Sequence, residues 1–254
     1  MRSSLQLKTN ATYFIEKLNH EKEVGNIILK YQSVEKNHDT YIRRWRENRL
    51  ALYPSYWKNH FHVPTILQAK CITGKILDFG CGTGHIDVIL AKKGLNIYGI
   101  DISPTAIEIA NYYRDHLKQS VKNRLHFHLA NINSYYPDFK FDSCLLTDVL
   151  EHLSLETAKN IVIELKRLLA KDAPIFISVP YETNYFDPDH CNFFYSVEEF
   201  SAFCTAIGVK VKSSTIDTRW KVINSIITIP NEQFAPLLTT HQKKFCEKIL
   251  LQKF

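Results

Sequence analysis

The stretch Ile76-Leu77-Asp78-Phe79-Gly80-Cys81-Gly82-Thr83-Gly84-His85 decides how this chain is read. A short apolar run ends in three glycines spaced two apart, and Ile86–Lys93 follows with the pattern of an amphipathic helix. Glycines let a backbone turn sharply and approach a ligand closely, while the helix start beyond them offers unpaired N–H groups. At the carboxyl end of a parallel strand, such a turn is a nucleotide-type recognition element. The next apolar run, Asn96–Ile100, ends in Asp101, 21 residues after Gly80. A carboxylate there can accept hydrogen bonds from both hydroxyls of a ribose. The spacing is GxGxG, not GxGxxG, which argues against a nicotinamide oxidoreductase.

Working outward, the alternation of strands and helices continues. Lys75–Phe79 and Asn96–Ile100 are followed by strand patterns at Leu125–Leu129, Ser143–Thr147 and Pro174–Val179. Ser103 and Pro104 open a helix reaching about Lys118, with serine at the N-cap and proline at the first helical position. Leu155–Leu169 reads as a helix, and Ser196–Ile207 as another, with Glu199 completing a capping box and Gly208 stopping it. Val209–Thr215 and Val222–Ile229 are strand-like and close in sequence, so an antiparallel pair at the sheet edge is expected. The predicted fold is α/β: a Rossmann-like, doubly wound, mostly parallel seven-stranded sheet with one antiparallel edge strand and an N-terminal helical extension. The expected division is a helical lid or substrate segment over 1–70, the nucleotide-type domain over 71–230, and a C-terminal helix over 231–254.

Composition narrows the class further. Of 254 residues 45% are hydrophobic and 23% charged, with only eight Gly and nine Pro, so the chain can bury a sizeable core and is not low-complexity. Six cysteines form no CxxC pair, which argues against a disulfide framework or zinc ribbon and for a reducing compartment. The opening MRSSLQLKTN lacks the apolar core of a secretory signal, and no run approaches the roughly 18 apolar residues that span a bilayer. A cytoplasmic location is therefore expected. Residues 1–75 hold 13 Lys/Arg against 6 Asp/Glu, a net of +7; the remainder hold 19 against 20, a net of −1. Any anion-seeking surface is thus expected at the front of the chain.

ILDFGCGTGH, YGIDIS and FDSCLLTDVLEHL together resemble motifs of the class I S-adenosylmethionine-dependent methyltransferases, over about residues 76–229. The ending VLEHL is similar to the ubiquinone-biosynthesis type of small-molecule O-methyltransferase, and Asp187–Phe194 followed by SVEEF recurs in that broad group. The resemblance implies S-adenosylmethionine as cofactor. Gly80, Cys81, Gly82 and Gly84 would shape its turn, Asp101 with the adjoining Ile102 would hold the ribose, and Asp78 would anchor the methionine amino group through the loop. Asn131 stands where the family usually has an aspartate contacting the adenine amino group; with Ile132 it would flank the adenine, its amide oxygen accepting the same hydrogen bond. Leu146 and Thr147 would lie beside the reactive methyl. The implied activity is methyl transfer to a small-molecule acceptor, at oxygen in preference to nitrogen.

For a hydroxyl acceptor the enzyme needs alignment and a base, and His152 and His190 are the candidates. Asp148, Glu151 and His152 form a DxxEH run, a mixed O/N set that suits Mg²⁺, Mn²⁺ or Zn²⁺, with His190 as a fourth ligand. This divalent metal is an alternative and not the favoured reading. Tyr41–Arg49 interleaves four arginines with Trp45, but their scatter at helical spacing favours a solvated helix, so a nucleic-acid partner is not expected. Tyr53, Tyr56, Trp57, Phe61 and His62 would line a lid over a hydrophobic or anionic acceptor. His241–Leu251 has the composition of a helix that could touch a membrane surface, though packing on its own domain is the plainer expectation. The rival functions are an RNA methyltransferase using the basic front segment and a non-catalytic S-adenosylmethionine-binding protein.

Overall fold

The β1 strand (Lys75–Phe79) lies between β2 (Asn96–Asp101) and β4 (Ser143–Thr147), parallel to both, and this arrangement positions the site. The computed structural model describes residues 19, 22–31, 57–181, 190–219 and 221–230. The Tyr41–Arg49 segment, Tyr53, Tyr56, the side chains of Trp57 and Phe61, Asp187–Asp189 and the C-terminal helix expected over 231–254 lie outside them. Strands β3 (Leu125–Leu129), β5 (Ile175–Pro180), β6 (Lys210–Asp217) and β7 (Val222–Thr228) complete a seven-stranded sheet in the order β3-β2-β1-β4-β5-β7-β6. All pairings are parallel except β5 with β7 and β7 with β6. The reversed strand is thus β7, one in from the edge, with β6 outermost.

Strand composition explains those positions. Every residue of β4 is buried, as a central strand covered on both faces requires. β6 is largely polar and carries an irregularity between Val211 and Ser213, features that keep an edge strand from pairing with other chains.

Helices cover both faces. On one side α6 (Leu155–Leu168) buries Ala158, Ile161, Val162, Leu165 and Leu168, a three-to-four-residue spacing that forms one apolar stripe. α7 (Val197–Ala206) adds Phe200 and Phe203, which meet Phe194 edge-on with centroids 5.4 and 5.3 Å away. The other side is covered by α2 (Trp57–Gln68), α3 (His85–Lys92), α4 (Pro104–Asp115) and the short α5 (Gln119–Lys122). Val63 and Ile66 of α2 pack with Ile76, Leu90 and Ile97. An N-terminal helix over 22–30, α1, sets Val24, Ile27 and Ile28 against Ile109 and Tyr113 of α4. Beside it Tyr31 Oη donates to Glu108 at 2.6 Å.

Serine caps fix three helix starts. Ser103 Oγ accepts from Ala106 N at 3.0 Å, Ser154 Oγ from Thr157 N at 3.1 Å, and Ser196 Oγ from Glu199 N at 3.1 Å. The Glu199 carboxylate reaches back to Tyr195 N at 2.9 Å, one residue earlier than a standard capping box would place it.

The aromatic trio is the densest packing on the α7 side. Phe200→Ala should lower stability by about 3–5 kcal/mol, with the urea midpoint shifted and its slope unchanged.

Candidate active site

The glycine turn is held by β2. Gly80 N and Cys81 N both donate to Ile100 O, at 2.9 and 3.2 Å. Gly82 N donates to Asp101 Oδ2 at 2.9 Å, while Asp101 Oδ1 accepts from Ser103 N at 2.8 Å. One carboxylate therefore pins the glycine loop to the start of α4. Gly82 has φ +53° and nothing within 4 Å of the position a Cβ would take, so its outer side is open. Gly80, by contrast, is closed in: a Cβ there would meet Val149 Cγ2 at 2.8 Å. The β1 loop thus abuts the turn that follows β4.

Beneath the loop lies a buried acid pair, Asp78 at the end of β1 and Asp87 in the first turn of α3. Burial pushes the Asp78 carboxyl up to about 6; a hydrogen bond from Asp87 and the nearby His62 pull the other way, and Asp101 adds to the rise. Burial, with Asp78 beside it, pushes Asp87 well above the carboxylate range. If both were ionised, neither Asp87 oxygen would have a hydrogen-bond donor. A proton kept on Asp87 supplies the donor and removes the repulsion. Burial and the same acids push the Cys81 thiol well up, so it stays protonated.

After β4 the chain turns at Asp148, whose φ of +54° is left-handed in a residue with a Cβ. Its N–H donates to Ser178 O at 2.9 Å, and its Oδ2 lies 3.5 Å from His62 Nε2. His62 comes from α2 and is fully buried. Sequence reading placed it in a lid; the structure brings it under the crevice, against Asp148 and near Asp78.

At the β3 end, Asn131 Oδ1 caps a short turn by accepting from Asn133 N at 3.0 Å, and an amide oxygen has a second lone pair to offer. Ile132 is buried in the core, whereas Ile102, next to Asp101, is 74% exposed. Leu146 and Thr147 end β4, both buried. Asp101 and the glycine turn thus share one end of the sheet with Asp78, Leu146 and Thr147.

The sequence-predicted histidines come together. Ligand atoms of Glu151, His152 and His190 all lie within 4.8 Å of one another, and the two imidazoles meet edge-to-face with centroids 4.9 Å apart. The DxxEH reading paired Asp148 with Glu151 and His152; the structure gathers His190 there instead, with Asp148 turned to His62. A carboxylate and two imidazoles fit a divalent cation in donor type and spacing. The clamp holding them is Asn192, which the sequence did not single out. Its Nδ2 donates to Leu150 O and Leu153 O at 2.9 and 2.6 Å, while Cys191 N and Asn192 N both donate to Glu151 O. Asn192 is buried, and these four bonds fix His190 beside the β4 turn.

A strand order that reverses between β1 and β4, a glycine turn and an acid at the β2 end define the class I S-adenosylmethionine-dependent methyltransferase fold. Residues 77–175 match the family described as "Methyltransferase domain", and S-adenosylmethionine is bound in solved structures of the same fold. Over part of its length the chain is similar to ubiquinone-biosynthesis O-methyltransferases. It is 30% identical to the ubiquinone biosynthesis O-methyltransferase of Pasteurella multocida (strain Pm70) over 145 residues, covering 54% of this chain and 59% of that protein. It is 37% identical to the magnesium-protoporphyrin O-methyltransferase of Rhodobacter capsulatus over 62 residues, 24% of this chain and 26% of that one. The matched stretches span about a third to three fifths of the ubiquinone-type relatives' length. In fold it is similar to the S-adenosylhomocysteine-bound magnesium protoporphyrin IX methyltransferase of Synechocystis PCC 6803, at TM-score 0.56 and 17% identity, over 81% of this chain and 100% of that one. It is also similar to the glycopeptide N-methyltransferase MtfA with bound S-adenosylmethionine, at TM-score 0.57 and 10% identity, over 66% and 93%.

Two predictions follow from the geometry of the turn and its acids. Gly82→Ala meets no neighbour, so it should cost only the left-handed strain of about 1–2 kcal/mol while weakening S-adenosylhomocysteine binding; Gly80→Ala should lose more stability through Val149. Calorimetry and thermal melts on both variants check this. The acid pair binds protons more tightly folded than unfolded, where Asp titrates near 3.9. Stability should therefore fall as pH rises from about 4 through 6, and Asp87→Asn, which supplies a permanent N–H, should flatten that fall. A variant melting curve with the same slope against pH would contradict the shared proton.

Proposed function

We propose that this protein transfers a methyl group from S-adenosylmethionine to an oxygen of a small-molecule acceptor. The observation that carries the reading is the Asp101 carboxylate fixed by Gly82 N–H beside an exposed Ile102, at the sheet end where the strand order reverses. Asp101 accepts from the ribose hydroxyls, Ile102 covers one face of the adenine, and Asn131 accepts from its amino group. Gly80, Cys81, Gly82 and Gly84 make room for the methionine part, and Asp78, ionised beneath the loop, attracts its ammonium. Ile132 shapes the adenine end from within the core, and Leu146 with Thr147 backs the reacting carbon. Bound there, S-adenosylmethionine supplies an electrophilic methyl on a sulfonium.

His152 and His190 take the acceptor's proton in this reading. One is exposed and the other half-buried, so both are accessible from solvent while their positions are fixed by the Asn192 clamp. Oxygen is preferred because the curated relatives carry O-methyltransferase names. A second reading rests on the clustering of Glu151, His152 and His190: these residues would hold a divalent cation that lowers the pKa of an acceptor hydroxyl. The lid expected over residues 1–70 would come from their part outside the described residues, which includes Tyr53 and Tyr56, since helices α1 and α2 pack on the domain itself. The nucleic-acid and membrane readings rest on Tyr41–Arg49 and His241–Leu251, outside the described residues. No described helix is long and apolar enough to cross a membrane, and the five described cysteines are unpaired, in keeping with a cytoplasmic location.

Titration with S-adenosylhomocysteine tests the cofactor. The wild type should bind at micromolar concentrations, and Ile102→Arg should weaken binding at least tenfold without lowering the melting temperature, since that side chain is exposed. Asp101→Ala should abolish binding but also loosen the loop, which makes Ile102 the cleaner probe. No binding by the wild type overturns the reading. Given an acceptor, His190→Ala should slow turnover by about 10²–10⁴-fold; loss of activity on chelation, restored by Mg²⁺ or Zn²⁺, would select the metal reading.

A further inference from the structure

His62 lies outside the matched region of 77–175, yet it is buried at the junction of the two loops that shape the cofactor crevice. Three observations meet at it. Its Nε2 is 3.5 Å from Asp148 Oδ2. Asp148 sits at φ +54°, a conformation that a residue with a Cβ holds only where its surroundings determine it. The adjoining Val149 closes on Gly80, so the Asp148 turn and the glycine loop move as one contact. From the other side, His62 lies close enough to Asp78, at the base of the same loop, to stabilise its charged form. Its own helix is anchored independently, with Val63 and Ile66 packed on Ile76 and Leu90.

We infer that His62 is a positioning residue that ties helix α2 to both walls of the crevice, so that cofactor binding and the seating of α2 are coupled. The inference rests on the cofactor reading proposed above and extends it to an element that the domain match does not include. A ligand that orders the glycine loop steadies the Asp148 turn through the Gly80–Val149 contact, and the turn holds α2 through His62. By linkage, a firmly seated α2 tightens the site for the ligand to the same degree.

The test uses the full chain and three variants: His62→Leu, which fills the volume without a donor, His62→Gln, which keeps a donor toward Asp148, and Asp148→Asn. Affinity for S-adenosylhomocysteine is measured by calorimetry, and amide hydrogen exchange across 57–68 is followed with and without it. In the wild type the ligand should slow exchange in α2 about tenfold. His62→Leu should bind about tenfold more weakly and lose that protection, His62→Gln should restore most of both, and the Asp148→Asn/His62→Leu double variant should be no worse than the weaker single one. Melting of each ligand-free variant separates this from misfolding: a merely structural role would move the melting temperature and leave the ligand-dependent protection in place. If the wild type binds and His62→Leu binds equally well with α2 still protected, the inference is overturned. If His62→Leu does not fold, failure of His62→Gln to show wild-type protection overturns it as well. If the wild type itself does not bind, the cofactor reading falls, and this inference with it.

Discussion

The Asp101 carboxylate, taking one hydrogen bond from Gly82 N–H and another from Ser103 N–H, is the interaction on which the site depends. It converts a glycine-rich turn, the segment with the most backbone freedom to lose, into a fixed ledge between β1 and β2. Hydrogen bonds to a charged acceptor contribute roughly 1.5–3 kcal/mol each, about what is needed to hold a short loop in left-handed conformations. The same carboxylate stands at the end of β2, so the group that builds the loop is also the one that the proposed reading offers to a ligand. Fold and recognition are not separable at this residue.

The sheet end that Asp101 occupies is crowded with like charge. Asp78, Asp87 and Asp101 gather there, and three ionised carboxylates so placed would repel strongly in a partly dry setting. Burial relieves part of the repulsion by keeping a proton on Asp87, and His62 of α2 lies 3.5 Å from the Asp148 carboxylate. What remains is a net negative crevice, suited to a ligand bearing an ammonium and a sulfonium. The left-handed Asp148 adds about 1–2 kcal/mol of strain, offset where its carboxylate meets His62 and its N–H meets Ser178 O.

Much of this could be read from residues in order. The strand–glycine–helix pattern at 76–85, the serine caps at 103 and 196 and the apolar-rich central strands each depend on neighbours within a few positions, so local periodicity carries them. The reversal of β7 was legible as an antiparallel pair, but its place inside β6 depends on a long-range choice of partner that periodicity does not encode. Asp87, His62 and Asn192 were not legible as site residues. An acid in a helix's first turn is ordinarily a partner for the helix dipole, and a histidine among aromatics reads as lining. Asn192 acts through amide bonds to carbonyls some forty residues back, contacts with no sequence signature. Asn131 was read for its oxygen, and the structure gives that oxygen a second duty as a cap.

The matched methyltransferase region ends at residue 175, and parts of the candidate site lie beyond its limits. His62 precedes it; His190 and Asn192 follow it. Within it lie the glycine turn, Asp101, Asn131 and the β4 end, which the proposed reading gives to the cofactor. Kinship carried by that interval therefore speaks to the cofactor and to the geometry of in-line transfer, both of which every acceptor shares. Acceptor choice is a difference between affinities, set by groups that contact one molecule and leave another's polar atoms unpaired. Beyond the matched interval, the loop after β5 brings the clamped imidazole of His190 beside His152, while His62, on the N-terminal side, is buried against Asp148. Two proteins could share every residue from 77 to 175 and still differ in acceptor, because part of the candidate site, His190 among it, is built from elsewhere in the chain.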